Sequence, residues 1–186
     1  MKENIFPAIK LTLLCLLFFS GIYTCIVLGI AQFAPNKGKG ELVVQNGKAY
    51  YLNLAQKFTD DKYFHSRPSA VDYNAAGAGG SNKGPSNPAY LATVTERIDS
   101  FLIHNPGIPK SDIPADLVTA SGGGLDPHIS VQAANVQAKR VASVRGIAEG
   151  NMQQLILSCT EKPLLGLFGT ERINVLQLNI ALDNLK

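Results

Sequence analysis

The apolar and polar positions of this chain change rhythm along its length, and each rhythm predicts an element. From Leu11 to Phe33, LTLLCLLFFSGIYTCIVLGIAQF carries no charged residue. At about 1.5 Å rise per residue this stretch makes roughly 34 Å of helix, enough for a hydrocarbon core of about 30 Å. Residues 11–33 are therefore expected to form a transmembrane helix behind a short N-terminal flank, 1–10. A cleaved signal peptide is the competing reading, with Lys2 and Lys10 as its basic region and Gly29-Ile30-Ala31 as a small-x-small site. Signal cores run about 7–15 residues, so the length favours a retained anchor. Charge leaves its orientation open, since Lys2 and Lys10 flank one end and Lys37 and Lys39 the other. Ser20, Gly21, Thr24 and Gly29 interrupt the large side chains, and small residues let a helix approach its neighbours closely. Packing against another membrane helix is thus favoured over lipid tethering alone.

Beyond the anchor, Pro35-Asn36-Lys37-Gly38-Lys39-Gly40 is rich in breakers, which makes 34–40 a linker and 41–186 a separate domain. Leu42-Val43-Val44 and Ala49-Tyr50-Tyr51-Leu52 flank Asn46-Gly47, a dipeptide suited to a type I′ hairpin turn. Asn87 and Pro88 open a helix with Leu91, Val94, Ile98 and Leu102 at helical spacing, ended by Asn105-Pro106-Gly107. The same grammar at Asp126-Pro127 predicts a second helix, with Val131, Ala134, Ala138, Val141 and Ala142 inward and Gln132, Gln137, Lys139 and Arg140 toward water, ending near Gly146. A third helix is expected over Asn151 to Ser158, a strand over Arg172 to Leu176, and a closing helix over Leu178 to Leu185. The fold class that follows is an α+β soluble domain preceded by one N-terminal transmembrane helix.

Composition narrows the function classes. Of 186 residues, 17 are Lys or Arg and 14 Asp or Glu, and this net charge of +3 forms no basic stripe of the kind nucleic acid requires. Cys15 and Cys25 lie in the anchor, which leaves Cys159 as the domain's one thiol, so no disulfide can form within the domain.

Two glycine-rich segments invite a chemical reading. RPSAVDYNAAGAGGSNKGPSNP, residues 67–88, fails as a Walker A loop because Lys83 is followed by Gly84 and Pro85 where a hydroxyl residue should stand. It fails as a nucleophile elbow because Gly79-Gly80-Ser81-Asn82 runs into Lys83. The second cluster, Ser121-Gly122-Gly123-Gly124, leads toward Asp126, whose carboxylate would repel an anion. With three prolines and turn-forming Asn residues, 67–88 reads as an ordered loop rather than a flexible tether. Either it docks a partner or it completes the domain's own fold. Among the histidines, only His128 has a close acidic neighbour, Asp126; the default for His65, His104 and His128 is a solvated or core-bonded ring. No metal-ligand spacing appears.

A family resemblance emerges from several motifs in order: Tyr63-Phe64-His65-Ser66-Arg67-Pro68-Ser69-Ala70, Gly79-Gly80-Ser81-Asn82 with Ser86-Asn87-Pro88, Leu117-Val118-Thr119-Ala120-Ser121-Gly122, Leu125-Asp126-Pro127-His128-Ile129-Ser130, and Arg172-Ile173-Asn174-Val175-Leu176-Gln177-Leu178-Asn179. On these residues the chain resembles the C subunit of the Kdp-type potassium-transporting ATPase over almost its whole length. One departure is visible: where the family has Gly-x-x-Leu-Ile-Gly-Gln, this chain has Tyr51-Leu52-Asn53-Leu54-Ala55-Gln56.

The resemblance implies a non-catalytic subunit of a high-affinity, ATP-driven potassium importer, with subunits A, B and F as partners. It implies a single pass through the inner membrane, N-terminus cytoplasmic and domain outside. It further implies a catalytic chaperone that raises the ATP affinity of the B subunit, with no catalytic residues and no cofactor of its own beyond ATP shared with that subunit. Ile129-Ser130-Val131-Gln132 is similar to the L-S-G-G-Q signature of ABC ATPases without its glycines, which makes Ser130 and Gln132 candidate ATP contacts; the alternative is a helix cap and a solvated glutamine. A domain outside the membrane cannot touch cytoplasmic nucleotide. Arg67, Ser81, Asn82 and Asn87 are candidate docking residues. Two other function classes compete: an anchored extracytoplasmic enzyme, which needs Asp126, His128 and a serine to converge, and a solitary ligand-binding module.

Overall fold

Helix α1 runs from Ile5 to Ala31, with Lys10 as its one charged residue and no buried residue, so it is long and apolar enough to cross a membrane. It starts earlier than the uncharged run because Lys10 is accommodated within it, an aliphatic stem near a helix end. The computed structural model describes residues 4–45 and 47–185; Asn46 of the expected turn and Lys2 of the basic flank lie outside them. Between Leu17 and Ile22 the helix widens to a π turn, and the Thr24 hydroxyl donates to the Phe19 carbonyl oxygen at 3.2 Å. Such a turn around Ser20 and Gly21 is where small residues relax the ladder.

The chain divides between Leu42 and Val43 into two units, close to the expected linker. From this boundary onward, β1 (Leu42–Gln45) and β2 (Lys48–Tyr51) form a two-stranded sheet. Helix α2 (Pro88–His104) begins as its sequence predicts, with the Asn87 side chain accepting from the Tyr90 amide at 3.1 Å. It buries none of its residues fully, so Leu91, Val94, Ile98 and Leu102 cover the domain's flank rather than its centre.

The core lies between a small sheet and three helices. Strands β3 (His128–Ile129), β4 (Thr160–Glu161) and β5 (Arg172–Asn174) are antiparallel in the order β3-β5-β4, with Ile173 opposite both Ile129 and Thr160. Helices α3 (Val131–Arg145), α4 (Glu149–Ser158) and α5 (Val175–Asp183) pack on it. Ala133, Ala134, Ala138 and Ala142 form a small-residue face on α3, which lets Met152, Leu155 and Ile156 of α4 and Leu178 and Leu182 of α5 close around Phe64. Gly146 ends α3 at φ 66°, its amide and that of Ile147 satisfying the last carbonyls.

Three expectations need correction. The helix predicted from Asp126-Pro127 starts at Val131, because the Asp126 side chain accepts from the His128 amide at 3.0 Å in a turn of its own while His128 and Ile129 pair with β5. Ser130 takes the cap, accepting from the Ala133 amide at 3.0 Å. Next, Gln137 and Arg140 do not face water; both are buried. Finally, the strand expected to reach Leu176 stops at Asn174, whose side chain accepts from the Gln177 amide and opens α5 at once.

Candidate functional site

Buried Gln137 and Arg140 organise the segment that carries the first of the sequence motifs. Residues 63–67 run between α3 and α5 without a strand partner, and side-chain amides take the place of one. Asn179 Oδ1 accepts from the Phe64 amide at 2.9 Å while its Nδ2 donates to the Phe64 carbonyl at 2.9 Å. Gln137 Oε1 accepts from the His65 amide at 2.8 Å. The Arg140 guanidinium donates to Asn105 Oδ1 and Gln137 Oε1, each at 3.0 Å, to the Tyr63 carbonyl at 3.1 Å, and to the Asp61 carbonyl. Polar groups that would be costly alone in the core are thereby matched. Burial, followed by the nearby Arg140 charge, pushes the His65 ring down to about 4, so His65 is neutral at pH 7.

Arg67 continues this segment into a cleft of about 310 Å³ lined with Asp116, Asp126, His128, Ser130 and Arg172. Arg67 donates to Asp126 Oδ2 at 2.9 Å, and His128 Nδ1 lies 3.4 Å from Asp126 Oδ1. The His128 hydrogen bond is the first cause, with Arg67 contributing, of the fall of the Asp126 carboxyl to about 2. Asp126, His128 and Ser130 thus meet, but not as nucleophile and base. Ser130 Oγ bonds Asp116 and the Ala133 amide, while His128 Nε2 faces Glu161 at 3.8 Å. Asp116 Oδ2 also accepts the Ser130 amide at 2.7 Å, which places a carboxylate at the N-terminus of α3. Gln132 is exposed and donates to the Asp112 carbonyl.

The two glycine clusters meet each other. Gly79 donates its amide to the Gly123 carbonyl at 3.0 Å, and a Cβ on Gly80 would stand 2.7 Å from the Gly122 oxygen. Gly124, at φ 70°, has Gly79 O and Val71 within 3 Å of where a Cβ would be. The glycines serve backbone-to-backbone packing. Ser69 Oγ accepts from the Val71 and Tyr73 amides and the Tyr73 hydroxyl donates to the Arg67 carbonyl at 2.7 Å, so the first half of 67–88 is tied to the domain. Ser81 and Asn82 remain exposed, Asn82 at φ 52°; Arg67 and Asn87 are engaged within the domain.

A family model described as "K+-transporting ATPase, c chain" matches residues 5–184. The chain belongs to the KdpC family. A potassium-transporting ATPase KdpC subunit of Flavobacterium psychrophilum is 55% identical over 185 residues, covering 99% of this chain and 100% of the relative. One from Bacteroides thetaiotaomicron is 50% identical over 188 residues, with 99% and 100% covered, and one from Geobacter sulfurreducens is 50% identical over 191, with 100% and 99% covered. In this KdpC chain the clamp on residues 63–67 is invisible to a motif search for catalysis. Its signal is a glutamine, an arginine and an asparagine on the otherwise apolar inner faces of α3 and α5.

Proposed function

We propose that this chain is the non-catalytic C subunit of an ATP-driven potassium importer, working with subunits A, B and F. The match to the family over residues 5–184 carries the reading. Helix α1 supports a single pass through the inner membrane, and in this reading the N-terminus is cytoplasmic and the domain extracytoplasmic. The subunit supports assembly and raises the ATP affinity of the B subunit. Direct ATP contact by Ser130 and Gln132 is the weaker form of that proposal, because a phosphate at the start of α3 would meet the Asp116 carboxylate already bonded there. The favoured route runs through the membrane helices and partner surfaces.

Co-expression with the other subunits tests the reading. The chain should co-purify with them, and its omission should raise the KM for ATP of whatever ATPase remains. A chain that never co-purifies overturns the assignment. Sidedness is tested with an impermeant maleimide on an exposed Ser81→Cys, with the native cysteines replaced by serine: labelling of intact cells supports an outside domain, and labelling only after permeabilisation reverses it. Docking through the loop is tested by Asn82→Ala, because Asn82 is exposed; normal co-purification removes Asn82 from the docking set.

A further inference from the structure

Between β4 and β5 the chain leaves the sheet in a tight turn whose apolar side chains face solvent: Leu164 is 70% exposed, Leu165 80%, Leu167 80% and Phe168 64%. We propose that this tip seats in an uncharged, apolar cleft on a partner subunit of the potassium-transporting ATPase, an inference that rests on the function proposed above. Contiguous exposed apolar surface marks an interaction site, and the tip is built to keep its shape. Leu164 and Phe168 exchange both backbone hydrogen bonds at 3.0 Å, and the Gly166 and Leu167 amides bond Pro163 and Leu164. Leu165 is held at φ 56°, a left-handed conformation unfavourable for leucine and unrelieved by burial within the domain. A preordered tip loses little entropy on docking.

Charge around the tip selects the kind of partner. Glu161 and Arg172 pair at 2.8 Å at its base, which leaves Lys162 and Glu171 of opposite sign beside it. A loop recruited to anionic lipid carries a cationic surplus. This one is balanced, which fits a neutral protein cleft. The tether makes a small patch sufficient: residues 32–41 span at most about 35 Å when extended, so the anchor keeps the domain beside its partners at high effective concentration.

The test places Leu167→Cys in the full chain with Cys15, Cys25 and Cys159 replaced by serine, and follows labelling by a water-soluble maleimide in lipid nanodiscs. The expected result is fast labelling of the chain alone and at least about tenfold slower labelling in the assembled complex, the protection of a buried anchor. Equal rates in both overturn the proposal, as does slow labelling of the chain alone, which would mean that lipid or a second copy covers the tip. As a second measurement, Leu165→Asp with Leu167→Asp should reduce co-purification at least about tenfold with thermal unfolding unchanged, both side chains being outside the core. A variant that co-purifies like the parent sinks this inference alone. A parent chain that never co-purifies sinks the underlying reading and this one with it.

Discussion

Asn179 holds Phe64 by both of its backbone groups, accepting from the amide and donating to the carbonyl at 2.9 Å each, with both residues buried. One side chain on α5 therefore replaces two rungs of a β-ladder. Asn179→Leu keeps the branched shape in a somewhat larger side chain and removes both bonds, leaving two buried backbone groups unsatisfied. A loss of about 2–5 kcal/mol is expected, read from urea unfolding of the chain.

Arg140 is the second holder of the same segment. Arg140→Met removes a buried cation and strands its acceptors on Asp61, Tyr63 and Asn105, with an expected cost of about 3–5 kcal/mol. Arg140→Lys should not restore stability, because an ammonium cannot reproduce the planar fork that reaches these acceptors together. Denaturant midpoints of the two variants and the parent decide it; a lysine variant at parental stability would refute the geometric account.

The glycine clusters predict a contrast within one loop. Gly80→Ala puts a Cβ 2.7 Å from a backbone oxygen that has no flexible end to move, and should cost about 1–3 kcal/mol and make the loop cleavable by protease. Gly84 has open space where a Cβ would go, so Gly84→Ala should change stability by no more than about 0.5 kcal/mol.

Stability should fall as the pH drops through two windows. His65 has an ordinary value of 6.5 and a folded value of about 4, so between these the unfolded chain binds a proton that the folded chain refuses. The His65 contribution is full above 6.5, declines toward 4 and then levels off. Asp126 acts in the same direction lower down: its contribution is present above 3.8 and lost toward about 2. His65→Gln should flatten the upper window and leave the lower one, as measured by thermal unfolding from about pH 7 to about pH 2.

Much of this architecture was readable from local pattern. The uncharged run announced α1, the Asn87-Pro88 pair announced α2, and the apolar positions of α3 and α4 announced the core, because helix periodicity and capping are local properties of the chain. Family membership was readable too, since ordered motifs survive without any knowledge of what they touch. Long-range partners were not. Gln137 and Arg140 look like surface residues at their helical positions until residues 61–65 are laid over them, and those are more than seventy positions away. Asp126 reads as a helix cap until β5 draws His128 and Ile129 into a sheet. Residues 67–88 read as an ordered loop that either docks a partner or completes the fold, and only the structure sets its Gly79 and Gly80 against Gly122–Gly124. Sequence rhythm sets which segments become helices and which apolar faces must be hidden. Which polar group is buried, and against what, follows from contacts between distant segments, whose energies appear only when the chain has closed on itself.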